Sequence, residues 1–194
     1  MNENHAALCS SPEWASFLRS HVLEPLAGMV ELGADMVEFG PGPGASTAWL
    51  RERVARLTVV EIDPVAAARL ADEHTDTNVT VMVGDCSRTE LPSASFDSVA
   101  SFTMLHHLPT QAMQLAVLNE AFRLLKPGGV LIGSDSMAST ELHDFHEGDT
   151  YNPIDPPRLL VYLQAAGFGR LTLTVGEELL FSAYKPLEES GEPA

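Results

Sequence analysis

The sequence predicts an α/β fold: a doubly wound, mostly parallel seven-stranded sheet that ends in an antiparallel C-terminal edge hairpin. Three observations predict it. From residue 35 onward, apolar runs of strand length alternate with helix-periodic segments. Such alternation implies parallel strands joined by right-handed crossovers. The first run, Val37-Glu38-Phe39, passes into Gly40-Pro41-Gly42-Pro43-Gly44 and then a helix-forming segment. The last two runs, Leu171–Val175 and Leu179–Tyr184, are separated only by a short turn at Gly176-Glu177, which makes a hairpin.

Each element has a local reason. Ser10 and Glu13 have the spacing of a capping box, and Pro12 is tolerated in a first turn. A covering helix is therefore expected over 10–28, with Trp14, Phe17, Leu18 and Val22 on one apolar face. That face either covers the sheet or walls a substrate pocket. Residues 35–39 form the first strand, and 45–54 the helix after the glycine turn. Residues 56–62 read as a second buried strand. Asp63-Pro64 then caps a helix running to Glu73. A third strand over 78–83 stops at Gly84-Asp85, and a fourth spans 96–102. Leu115, Leu118, Phe122 and Leu125 share a face of a helix over 109–126, ended by Pro127-Gly128-Gly129 before a fifth strand over 130–134. Residues 135–154, rich in His, Asp and Thr, read as a long active-site loop. Asp155-Pro156-Pro157 starts a helix that ends at Gly167. The acidic stretch 188–194 reads as a frayed tail.

Composition narrows the function. A chain of 194 residues with no linker or repeat suits one domain over 1–194. Net charge is −16 and the 11 basic residues are scattered, so no surface is available to neutralise phosphates, and nucleic acid is excluded as a partner. No apolar run is long enough to span a membrane, and Met-Asn-Glu-Asn-His lacks the features of a signal peptide. Cys9 and Cys86 have no paired spacing, which points to a reducing cytoplasm and small buried side chains.

Glu38, Glu61, Asp85 and Ser101 all fall at the expected carboxyl ends of successive strands. Ligands of open α/β sheets bind there, near the point where strand order reverses. The glycine turn fits two ligand classes. Gly40, Gly42 and Ala45 match the dinucleotide fingerprint, whereas Gly40, Gly42 and Gly44 after Glu38 match a loop for S-adenosylmethionine. The turn alone does not choose between them.

The wider set of motifs does. Glu38-Phe39-Gly40-Pro41-Gly42-Pro43-Gly44, Val60-Glu61-Ile62-Asp63, Gly84-Asp85, Phe96-Asp97 and Leu125-Lys126-Pro127-Gly128-Gly129-Val130-Leu131 occur in order, followed by the hairpin. Together, over roughly 35–184, they resemble class I S-adenosylmethionine-dependent methyltransferases of the small-molecule, Rossmann-like type. The resemblance implies S-adenosylmethionine as cofactor and in-line methyl transfer to a small organic acceptor in the cytoplasm. It places Gly40, Gly42 and Gly44 beside the methionine portion and Glu38 near its ammonium group, or as a brace of the loop. Glu61 would accept from the ribose hydroxyls, Ile62 would pack on the adenine, and Asp85 and the Cys86 amide would read the adenine edge. Ser101 and Phe102 would pass the departing methyl. Candidate bases are His106, with His107 behind it, and His146 or Tyr151 from the long loop. His143 and His146, with Asp144 and Glu147, have helical spacing, but no third ligand is fixed, so no metal is expected. The competing readings are an NAD(P)-dependent oxidoreductase and a non-catalytic cofactor-binding protein.

Overall fold

The computed structural model describes residues 2–188, apart from the Glu3 side chain. Seven strands form one sheet: β1 (Asp35–Phe39), β2 (Arg56–Glu61), β3 (Val79–Val83), β4 (Phe96–Phe102), β5 (Leu125–Ser136), β6 (Gly169–Val175) and β7 (Glu178–Tyr184). Their order is β3-β2-β1-β4-β5-β7-β6. β1 pairs in parallel with both β2 and β4, so strand order reverses at the carboxyl end of β1. β7 lies antiparallel between β5 and β6, which forms the expected edge hairpin.

Among the described residues eight α-helices surround the sheet: α1 (Glu3–Cys9), α2 (Pro12–Leu18), α3 (Glu24–Ala27), α4 (Ala45–Leu50), α5 (Pro64–Glu73), α6 (Gln111–Leu124), α7 (Thr140–Phe145) and α8 (Pro156–Ala165). A π-helical turn, Arg19–Leu23, joins α2 to α3, and a 3-10 turn, Leu105–His107, follows β4. None of the helices among the described residues is long and apolar enough to cross a membrane. Strand alternation divides the core. Val37, Phe39, Val99 and Leu131 face the side covered by α6 and α8, with Leu118, Leu159 and Leu163. Met36, Val59, Ala100 and Ile132 face the other side, where Leu18, Val22, Leu23 and Leu26 pack with Trp49 and Leu50.

Several boundaries differ from expectation. The N-terminal cover is continuously helical over 12–27, within the expected 10–28, but winds as a π-helix at Arg19–Leu23, and α1 precedes it. Ser11, not Ser10, is the cap of α2, accepting from the Trp14 amide at 3.1 Å. α4 stops at Leu50 instead of 54, and α6 runs only from Gln111 to Leu124. Residues 125–129 belong to β5 and are no turn. The residue before a proline avoids helical geometry, and Leu125 is already extended. Gly128 at φ +81° and Gly129, where a Cβ would lie 2.9 Å from the carbonyls of Asp97 and Lys126, form a kink in the strand. Pairing with β4 shifts register there, between Phe96 and Ser98. The long segment 135–154 is partly ordered as the end of β5 and α7. Of the expected tail, 189–194 lie outside the described residues.

Candidate functional site

The turn after β1 is built from three left-handed glycines, with φ of 57°, 55° and 91° at Gly40, Gly42 and Gly44. At two of them the backbone is also crowded. A Cβ on Gly40 would lie 2.6 Å from Met104 Cγ, and one on Gly44 would collide with Leu70 of α5. Gly44 therefore serves helix packing as well as the turn. Glu38 is fully buried and accepts from the hydroxyls of Ser46 and, at 2.6 Å, Thr47 in the first turn of α4. Burial pushes its carboxyl up to about 7 against the pull of those two hydroxyls, and nearby Glu61 adds to the rise. Glu38 braces the loop.

A cavity of about 500 Å³ opens at the carboxyl ends of β1, β2, β3 and β4. Its lining includes Gly40, Gly42, Glu61, Ile62, Asp85 and Cys86, which the sequence also groups there. Glu61 accepts from the Gly42 amide at 3.2 Å and the Asp63 amide at 3.0 Å, one per oxygen, so each oxygen retains a lone pair. Ile62 is 70% exposed on this wall, an apolar surface with no protein partner of matching size. The same lining includes an apolar set, Trp14, Leu18, Phe102, Met104, Leu108 and Met113, with His5, His107 and Asp149. Burial raises the Cys86 thiol to about 12 and the Cys9 thiol to about 11, so neither is a reactive thiolate. Glu38, Gly44 and Ser101 do not line the cavity. The Ser101 hydroxyl is buried without a partner in the middle of the sheet.

The proposed bases are differently placed. His106 is buried beneath the cavity wall, its Nδ1 2.6 Å from Asp135 Oδ1 and its backbone amide 3.3 Å from Asp135 Oδ2. His146, also buried, stacks on Tyr151 with ring centroids 4.5 Å apart. Neither ring, nor Tyr151, lines the cavity. Burial raises the Tyr151 phenol, which makes it a poorer anion. His143 is exposed and lines an outer hollow of about 450 Å³ with His146, Glu147 and Tyr151, and Asp149 borders both this hollow and the cavity. The structure instead gathers His146 with His106, His107 and His5, the last from α1. Desolvation, with mutual repulsion among the rings, holds His5 down at about 4 and His107 at about 3, so both are neutral at pH 7. The segment 135–154 is tied down over the turn after β4. Asn152 donates from its backbone to His106 O (2.7 Å) and from its side chain to Leu108 O (2.9 Å), and Gln114 bonds both Leu105 O and Asn152 O. Asn2 reaches the end of α7 by donating to Phe145 O at 2.8 Å. His5 and Asp149 carry no signal in the sequence: one lies in a short polar helix and the other among six further charged or imidazole side chains.

Comparison with known proteins agrees with this geometry. Residues 37–133, half of the chain, match the family described as "Methyltransferase domain". A probable ribosomal RNA small subunit methyltransferase A of Pyrobaculum aerophilum is 42% identical over 81 residues, covering 41% of this chain and 35% of that protein. A probable S-adenosylmethionine-dependent methyltransferase of Mycolicibacterium smegmatis is 28% identical over 143 residues, covering 70% and 52%. The matches thus span a third to a half of these relatives' lengths. A Mesorhizobium loti S-adenosylmethionine-dependent methyltransferase has the same fold at a TM-score of 0.70, with 19% identity and coverage of 84% of this chain and 96% of that one. With a methyltransferase-domain match over half of the chain and a sheet of the same fold as a solved S-adenosylmethionine-dependent methyltransferase, the chain belongs to the class I S-adenosylmethionine-dependent methyltransferases.

Proposed function

We propose that this chain binds S-adenosylmethionine against the carboxylate-bearing lining of the cavity and methylates a small organic acceptor held against its apolar lining. The observation that carries the reading is that one cavity of about 500 Å³ has both linings. When bound, the cofactor supplies an electrophilic methyl group. The chain's contribution is placement, which removes much of the entropic barrier to a two-body reaction. Glu61 offers a lone pair on each oxygen to the ribose diol, Ile62 offers an apolar face to the adenine, and Asp85 accepts from its amino group. Trp14, Leu18, Phe102 and Met113 exclude water from an acceptor with an apolar body.

His107 borders the acceptor, but a ring held near 3 is a weak base, so acceptors that ionise readily or need no deprotonation are favoured. His106, His146 and Tyr151 lie behind the wall and act as positioning groups. The net charge of −16 disfavours an RNA acceptor, although several relatives carry an rRNA methyltransferase description. Two free cysteines fit a cytoplasmic setting.

Thermal unfolding with added nucleotides tests the cofactor. S-adenosylhomocysteine at a hundred times its Kd stabilises by about 2.7 kcal/mol, a shift of several degrees. Stabilisation by NAD(P) with none from S-adenosylhomocysteine would reject the assignment in favour of an oxidoreductase. S-adenosylhomocysteine release, measured with a panel of small phenols, carboxylates and amines beside ribosomal RNA, tests the acceptor. Turnover confined to RNA would reject a small-molecule acceptor, and cofactor binding without turnover on any acceptor would favour the non-catalytic reading.

A further inference from the structure

We propose that His5, His106, His107 and His146 form a binding site for one divalent transition-metal ion of the zinc class. One ring nitrogen from each of the four histidines lies within 4.8 Å of all the others, and three of the rings are buried. The proposal replaces the expectation of no metal, which rested on His143 and His146; His143 is 78% exposed and takes no part.

The hydrogen bonds around the rings fix the direction of their lone pairs. His146 Nδ1 is 2.6 Å from Leu142 O, and a carbonyl only accepts, so that nitrogen carries the proton. His106 Nδ1 faces Asp135 Oδ1 at 2.6 Å, and His107 Nδ1 faces Thr150 O at 3.3 Å. In each neutral ring the remaining nitrogen, Nε2, is then an acceptor. His106 Nε2 and His146 Nε2 are buried with no hydrogen-bond partner, and His5 Nδ1 lies 3.5 Å from Asp149 Oδ2, a carboxylate that accepts from its N–H and leaves Nε2 as the lone-pair nitrogen of that ring. Acceptors cannot satisfy one another, and buried polar atoms left alone are rare and costly. A cation placed among them pairs with all.

The shell outside the rings is the one that metal sites use. A ligating imidazole ordinarily gives its second N–H to a carboxylate or a backbone carbonyl, which fixes its tautomer and raises its basicity. Asp135, Leu142 O and Thr150 O stand in those positions. Imidazole nitrogen suits zinc, copper, nickel and iron(II) and does not suit magnesium or calcium. Tetrahedral zinc with bonds of about 2.0–2.1 Å needs nitrogens about 3.3 Å apart, so binding draws the rings inward. The parts that must move are short: α1 and the turn after α7. Coordination ties α1 and α7 to the turn after β4, and because His5 and His107 also line the cavity, the ion borders the cavity. The coordination itself does not rest on the cofactor assignment.

The test uses the full chain without a polyhistidine tag, stripped by a chelator and free of nucleotide. Titration with Co2+ is expected to give intense visible d–d bands saturating at one ion per chain, bleached by one equivalent of Zn2+. His5→Gln and His146→Gln should abolish the bands, and Asp135→Asn should weaken Co2+ binding by about 10–100-fold. His143→Gln should change nothing. A cooperative unfolding transition checks that each variant folds; His5→Gln, on a peripheral helix, decides if the buried variants do not. The proposal is overturned if the stripped chain gives no bands, if the bands survive His5→Gln, or if His143→Gln removes them.

Discussion

Single residues at the strand ends do separate jobs. Glu61 holds the glycine turn through the Gly42 amide and has lone pairs left for a ligand. Glu61→Ala is expected to weaken S-adenosylhomocysteine binding by about 2 kcal/mol, roughly 30-fold in Kd, since hydrogen bonds to a charged group are lost. Titration calorimetry measures this, and unchanged affinity would remove Glu61 from the ribose site. Gly44→Ala should act on folding: it forces φ +91° on a residue with a Cβ and drives that Cβ into Leu70. A loss of about 1–3 kcal/mol in urea unfolding is expected. The place of Glu61 on the cavity wall was legible because a strand-end acid followed by a helix cap is a local pattern. Glu38 is also a strand-end acid, yet its partners are the Ser46 and Thr47 hydroxyls, while Gly44 packs on Leu70 and Ser101 lies within the sheet. Only the packing of α4 and α5 separates a ligand contact from a brace.

At the scale of elements, Asp97 joins three strands. Its Oδ2 accepts from the Ala34 and Asp35 amides at the start of β1, and its Oδ1 accepts from Lys126 Nζ at 2.6 Å in β5. Burial alone would raise its carboxyl, but Lys126 and the two amides outweigh that and hold it below the usual range. Asp97→Ala should cost about 3 kcal/mol of unfolding free energy by leaving these donors unmatched, with S-adenosylhomocysteine affinity little changed in the folded protein. A loss confined to ligand affinity would contradict the structural role. This contribution is present at neutral pH and lost as pH falls through the folded-state pKa. Strands β1 to β4, the helix after Asp63 and the hairpin were legible because each carries its own periodicity and stop signal. The junction at residues 125–129 was not: Pro-Gly-Gly reads as a turn, but Leu125 pairs with Phe96 and the backbones of Gly128 and Gly129 bond to Lys185, which carries the strand through it. The histidine cluster was least legible, since its members come from α1, the turn after β4 and the end of α7.

For the whole molecule, four buried or half-buried groups shape how stability depends on pH on the neutral side. Burial raises Glu38 and Glu178 to about 7 from an unfolded value of 4.5, and at Glu178 the nearby Asp135 adds to the rise. Desolvation lowers His5 to about 4 and His107 to about 3 from 6.5. Between pH 4.5 and 7 the folded state holds protons on the two carboxyls that the unfolded chain releases, so their contribution falls as pH rises. From pH 4 to 6.5 the unfolded chain binds protons on the two imidazoles that the folded state refuses, so theirs rises with pH. Two groups oppose two from about 4.5 to 6.5, giving a plateau. Below the plateau the imidazoles are joined by the lowered carboxyls of Asp97, Glu120 and Asp149, and stability falls with acid. Above it the raised carboxyls act alone, and stability falls by about 1 kcal/mol between 6.5 and 7, with Glu178 contributing less because it is partly exposed. Urea unfolding of the chelator-treated chain from pH 4 to 8 measures the profile. Glu38→Gln retains the hydroxyl acceptor without the titration, so its neutral-side fall should shrink while the acid side stays. A wild-type stability that climbs from pH 6.5 to 7, or a Glu38→Gln variant with the same neutral-side fall, would mean that Glu38 is ionised within the folded loop.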